Sequence, residues 1–134
     1  MIHKIGQISI GGGKGNKIEV CDVMTKDKNL IHIKKNGGSA MLSHLFNQAT
    51  VSAEMLLDKT FKSKFDQKLE EFNFNDLIDT TYIPNNYTVT MGIINKYTEE
   101  RPKIPFFSKV AIRYASKRIS NMGYKVNIKN IKIS

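Results

Sequence analysis

Hydrophobic and polar positions along the chain change period several times, and each change marks an element. KIEVCDVMT (Lys17 to Thr25) and LIHIK (Leu30 to Lys34) are short runs of apolar and β-branched residues. Lys26-Asp27-Lys28 between them predicts a hairpin with a three-residue turn. Lys4 to Ile10 predicts a short strand before the hairpin, and GGGKGN (Gly11 to Asn16) a loop. After Gly37-Gly38 the period becomes helical: Ser39 is a predicted N-cap, and Met41, Leu42, Leu45, Phe46 and Ala49 follow as one face. From about Val51 a second helical stretch places Leu56, Leu57, Phe61, Phe65, Leu69 and Phe72 in a buried stripe, with Lys62, Lys64, Asp66, Lys68 and Glu70 between them. NFNDLIDTTYIPNN reads as a connection, and Tyr87 to Asn95 as a strand. Pro102 to Pro105 leads to a last helix, Phe106 to Met122, with Gly123 as its C′ residue. YKVNIKNIKI (Tyr124 to Ile133) alternates and predicts a strand with one wet face. The order β-β-β-α-α-β-α-β is that of a single α/β (α+β) domain over residues 1–134, a mixed central sheet flanked by helices.

Composition narrows the class. With 134 residues, 40% of them hydrophobic, the chain can bury a core, and its single cysteine, Cys21, excludes an internal disulfide. No signal peptide or long uncharged apolar stretch is present, so the expectation is a cytoplasmic protein with no membrane partner. The net charge of +9 is local: between Arg101 and Ser134 there are nine Lys or Arg and no Asp or Glu, while the rest of the chain balances. A surface of one sign attracts polyanions by releasing counterions, which makes DNA or RNA the expected partner.

The hairpin holds the candidate chemistry. A three-residue turn sets Asp22 opposite His32 and Val20 opposite Lys34, so an acid, an imidazole and an ammonium converge just before a helix begins. That layout resembles the PD-(D/E)XK nuclease core of restriction endonucleases, in which an Asp ends one strand and an acid-x-Lys triplet occupies the next. In that chemistry carboxylates hold a divalent cation and the Lys positions or activates the nucleophile. The resemblance implies catalytic roles for Asp22, His32 and Lys34, with Asp22 and Glu19 as ligands of Mg²⁺ or Mn²⁺. The triplet here is His32-Ile33-Lys34, and an imidazole is a poorer Mg²⁺ ligand than a carboxylate. Glu19 falls on the opposite face unless the strand carries a bulge.

EVCD (Glu19 to Asp22), IHIK (Ile31 to Lys34), LSHLFNQ (Leu42 to Gln48) and PFFSK (Pro105 to Lys109) are similar to the C-terminal region of a sporadically distributed, uncharacterised prokaryotic family associated with mobile defence islands. The resemblance implies no assigned reaction. Family members are several times longer, which makes this chain a stand-alone or truncated version, with a further element or a protein partner supplying what is missing. In the helix motif, Ser43 and Asn47, like His44 and Gln48, are spaced i, i+4, and one such pair is a candidate to touch phosphate or base. Lys35, Lys109, Arg113 and Lys117 complete the candidate nucleic-acid-binding set.

Other features carry less. Gly11 to Asn16 meets neither the Walker A nor the dinucleotide spacing. Cys21, inside an apolar strand, reads as a buried thiol, Glu70-Glu71 and Glu99-Glu100 as solvated surface, and Phe106-Phe107 as the packed start of the last helix in preference to rings that stack on single-stranded bases. Two functions remain: a divergent metal-dependent nuclease of prokaryotic or phage-related defence, and a non-catalytic nucleic-acid-binding or protein-interaction module on a nuclease-like fold.

Overall fold

A computed structural model describes residues 2–3, 9–10, 18–96 and 106–133. In chain order the elements are β1 (Ile2–His3), β2 (Ser9–Ile10), β3 (Ile18–Glu19), β4 (Val23–Thr25), β5 (Asn29–Lys35), α1 (Ser39–Met55), α2 (Lys59–Glu71), β6 (Thr88–Lys96), α3 (Phe106–Asn121) and β7 (Lys125–Ile133). The main sheet runs β1-β4-β5-β6-β7, and β2 pairs with β3 in a separate ladder. β4 is antiparallel to β5, whereas β5, β6 and β7 are parallel, so the sheet is mixed and the fold α+β, as the residue pattern predicts. The parallel strands are joined through helices, and α1 packs against α3 on one face of the sheet.

Local chemistry fixes the element ends. The hairpin turn is the expected three residues: Lys28 N–H donates to Thr25 C=O at 3.0 Å, and Lys28 takes φ 62°, the left-handed conformation that closes such loops. Asp58 caps α2, its Oδ1 accepting from Thr60 N–H at 3.3 Å. Asn73 at φ 63° ends the same helix, with Phe74 N–H reaching Leu69 C=O and Asn73 N–H reaching Glu70 C=O, the paired bonds of a Schellman motif. Gly123 at φ 104° turns the chain out of α3 and into β7, as expected of a C′ glycine.

The core lies between the sheet and the helices. In-register neighbours on parallel strands share a face, so Leu30 and Val89, His32 and Met91, and Lys34 and Ile93 point the same way. Leu30, Val89, Met91 and Ile93 join Leu42, Leu45, Phe46 and Ala49 of α1 and Ile112, Ala115 and Ile119 of α3 in one cluster. Burying each large apolar side chain there stabilises by about 1.5–3 kcal/mol. The sheet's other face is close-packed around Gly92, where an added Cβ would lie 3.2 Å from Ile131 Cδ1 and 3.5 Å from Ile33 Cγ1.

Several details differ from the sequence expectations. The run Lys17 to Thr25 is not one strand: it breaks between Glu19 and Val23, where Asp22 N–H donates to Ile31 C=O although Val23 already pairs with Ile31. α1 runs on to Met55, so Val51 belongs to it, and Gly38 holds the N-cap position assigned to Ser39. Met41, Leu57 and Phe72 are exposed, whereas Lys62 is buried, its Nζ lying over the rings of Tyr82 and Phe65 at 5.3 and 5.8 Å from their centres and reaching Asp66. Phe106 and Phe107 are 72% and 80% exposed and do not pack the start of α3. β7 is an edge strand whose residues Asn127 to Asn130 are exposed in succession, so it is wet on both faces there. The loop Gly11 to Asn16 and the pair Glu99-Glu100 lie outside the described residues.

Candidate functional site

The hairpin has the register that the turn length predicts over Val23–Ile31 and Met24–Leu30, but the ladder ends before Asp22, whose charge is still felt at His32. Their chemistry is not that of an open catalytic centre. Asp22 Oδ2 accepts from Ile33 N–H at 2.7 Å, so the carboxylate extends the β4–β5 ladder at the point where the strand backbone bends away. His32 is 2% exposed, and burial lowers its pKa to about 4 against a smaller upward pull from the Asp22 charge. It is therefore a neutral core imidazole at neutral pH. Lys34 shares the His32 face by alternation and is half-buried, and Lys35 is exposed on the opposite side. The side chain of Glu19 lies outside the described residues. Asp22 and His32 do not by themselves fit a Mg²⁺ site, which takes several oxygen ligands: one carboxylate already serves a backbone amide and the imidazole is sealed in the core. Cys21 is buried, and burial, with the Asp22 charge adding to it, pushes its thiol up to about 12, so it is the inert thiol expected.

A second polar cluster, which the sequence reading missed, closes the amino-terminal edge of the parallel strands. Lys28, Tyr87 and Tyr124 immediately precede β5, β6 and β7. Lys28 Nζ donates to Asp79 Oδ1 at 2.8 Å, and Tyr87 OH donates to Asp79 Oδ2 at 2.5 Å. The Tyr82 ring lies 4.7 Å from that of Tyr87, and its hydroxyl is 2.8 Å from Tyr124 OH, which itself donates to Ala53 C=O at 2.7 Å. Burial raises the Asp79 carboxyl, but the bonds from Lys28 and Tyr87 and the charges of Lys28 and Lys62 outweigh it and hold the group below its ordinary value. Burial likewise drives Tyr82 and Tyr87 well above the usual phenol range and pushes Tyr124 up to about 12. A cleft of about 540 Å³ opens beside this cluster, lined by Lys59, Lys62, Asp66, Asp79 and Tyr82 among others. Its charged walls are largely self-paired, Lys62 with Asp66 and Asp79 with Lys28.

The outward side of α3 is different. Ser108, Ile112, Ala115 and Ile119 form its buried stripe. About 100° per residue then places Lys109 on the flank away from α1, Arg113, Lys117 and Val110 progressively across the outward side, and Tyr114, Phe107 and Arg118 on the flank towards α1, all of them exposed. None of Lys109, Arg113 and Lys117 forms an ion pair with another described residue. The flank faces α1 across a groove of about 370 Å³ whose opposite wall carries Ser43, Phe46, Asn47 and Thr50. Of the two helix pairs, Ser43 and Asn47 therefore meet α3, while His44 is exposed and Gln48 half-buried elsewhere on α1. Thr50 Oγ1 donates to Phe46 C=O at 2.8 Å in a buried bond, and Arg118 is held by Glu54 at 3.2 Å in a pair open to solvent. Phe107, Val110, Tyr114 and Arg118 are the residues that the sequence reading left out of the site. The helical wheel around Ser108, Ile112, Ala115 and Ile119 was the signal that could have found them.

The architecture is that of a small mixed-sheet α+β domain with two helices on one face and a basic, aromatic-edged helix turned to solvent. The chain belongs to an uncharacterised family, described as a family of unknown function (DUF6119), whose model matches residues 6–132. No curated protein and no solved structure matches the chain. Among the described residues, no helix is long and apolar enough to cross a membrane.

Proposed function

We propose that the domain binds nucleic acid through the outward side of α3, as a non-catalytic module, in the prokaryotic defence setting that the sequence resemblance suggests. One observation carries this reading: Lys109, Arg113 and Lys117 form an exposed stripe one helical turn apart, beside a second stripe of Phe107, Val110 and Tyr114. Cationic groups spaced by a turn suit successive phosphates, and aromatic faces beside them suit bases. The absence of acidic residues from Arg101 onward leaves that potential unopposed along this part of the chain. The non-catalytic half of the reading rests on Asp22 and His32, whose polar atoms serve the ladder and the core.

The test is fluorescence-anisotropy binding of labelled DNA and RNA across a salt series, with wild type and the triple variant Lys109→Glu, Arg113→Glu, Lys117→Glu. Affinity should fall linearly on a log-log salt plot, and the variant should bind much more weakly with a slope shallower by roughly 3. Equal binding by the two proteins would remove α3 from the site. Incubation of the same nucleic acids with Mg²⁺ or Mn²⁺ tests the other half: cleavage that disappears in both Asp22→Ala and Lys34→Ala would make the hairpin a nuclease centre after all.

A further inference from the structure

Resting on that reading, we infer that the groove between α1 and α3 takes unpaired bases, so that the preferred ligand is a single strand and not a duplex. Phe107 is 80% exposed, its ring meeting that of Phe106 edge-on at 5.7 Å, and Tyr114 is 69% exposed, both on the flank that borders the groove. Large exposed aromatics are costly on a free surface and useful where a flat apolar partner stacks. A duplex keeps its base faces inside the stack and offers phosphates and groove edges to a protein. A single strand presents base faces, which fit rings of this kind.

The groove has the dimensions and chemistry for the same ligand. At about 370 Å³ it falls at the small end of the roughly 300–1,000 Å³ typical of ligand sites, enough for a base with its sugar. Its floor and flank are apolar, from Phe46, Val110 and Ala111, and its rim offers Ser43 and Asn47, which carry both donors and acceptors for a base edge. On the helical wheel Lys117, and next Arg113, lie beyond the outer lip that Val110 and Tyr114 form, outside the groove, which lets phosphates stay in solvent against them while bases turn inward. Charge complementarity along this last quarter of the chain selects a polyanion over a neutral peptide for the groove.

The test compares labelled single strands of about 15 nucleotides, one oligo-dT and one oligo-U, with a duplex of the same length, on wild type, Phe107→Ala and Tyr114→Ala. Both positions are solvent-exposed, so the variants should keep the fold, which circular dichroism checks. Wild type should bind at least one single strand tenfold or more tighter than the duplex. Each alanine variant should lose about tenfold on that strand while changing duplex binding less than twofold, and the dT and U arms say which sugar is preferred. If wild type prefers the duplex, or if neither alanine variant weakens single-strand binding, the inference is wrong even where the triple charge reversal abolishes binding. If wild type binds no nucleic acid, or binds polyglutamate more tightly than either strand, the nucleic-acid reading falls and the inference with it.

Discussion

The two ends of the parallel strands treat polar groups in opposite ways. At the amino-terminal edge, Lys28, Asp79, Tyr87, Tyr82 and Tyr124 form a chain in which each hydroxyl or charge has a partner within 2.9 Å, ending on Ala53 C=O. α3 runs back along the sheet from the carboxyl-terminal edge, and its outer side presents Lys109, Arg113 and Lys117 with Phe107 and Tyr114 to solvent. Satisfied polar networks hold a fold in one arrangement, whereas charged and aromatic groups left open are free to meet a ligand. The comparison assigns stability to the first region and binding to the second, and places Asp22 and His32 with the first.

That division is broken most forcefully at Asp79. Asp79→Ala removes the acceptor for both Lys28 and Tyr87, and should lower unfolding free energy by about 2–3 kcal/mol in urea titration while leaving nucleic-acid affinity unchanged. An affinity loss as large as that of the α3 charge reversal would show that the tyrosine cluster is part of the binding surface.

The buried imidazole gives an effect of similar size. His32 has a folded pKa of about 4, below the unfolded value of 6.5, so the unfolded chain takes up its proton first as pH falls. Its contribution is present above about pH 6.5 and is lost progressively down to about pH 4, costing roughly 3 kcal/mol. His32→Leu should flatten the stability curve over that window in a series of urea titrations. A hydrolytic role for His32 would instead appear as a pH-dependent activity lost in the same variant.

Asp22 should matter less. Asp22→Ala leaves Ile33 N–H without its 2.7 Å acceptor and should cost about 1–2 kcal/mol, while Asp22→Asn keeps an amide oxygen for the same bond and should recover most of it. Rescue by Asn marks a backbone acceptor, and failure to rescue would point to a role that needs the charge. The smallest stability change belongs to α3: the triple charge reversal should stay within about 0.5 kcal/mol of wild type in the same titration. A larger loss would mean that the stripe helps hold the fold.

The residues made some of this legible and hid the rest for physical reasons. Turn length fixes register, so Lys26-Asp27-Lys28 set Val23 opposite Ile31 and Met24 opposite Leu30 as expected, and Gly123 ended α3. What the register could not convey was that the chain bends at Asp22 and turns the carboxylate into the ladder. The tyrosine network was invisible because its bonds join residues from 8 to 71 positions apart, with no period to reveal them. Lys62 looks solvated in the sequence because nothing there shows that its ammonium meets the rings of Tyr82 and Phe65 and the carboxylate of Asp66. Phe106-Phe107 misled in the other direction, since an apolar pair after Pro105 has the composition of a core and only the helical wheel turns it outward.

The most direct measurement is a two-dimensional amide NMR titration of this 15.2 kDa chain with a single-stranded oligonucleotide. The account predicts that the largest shift changes fall on Phe107, Lys109, Arg113, Tyr114 and Lys117, with Ser43 and Asn47 across the groove, while Asp22 to Lys34 and the Lys62 to Tyr87 region move little. Changes concentrated at Asp22, His32 and Lys34, with α3 silent, would contradict it and return the function to the hairpin.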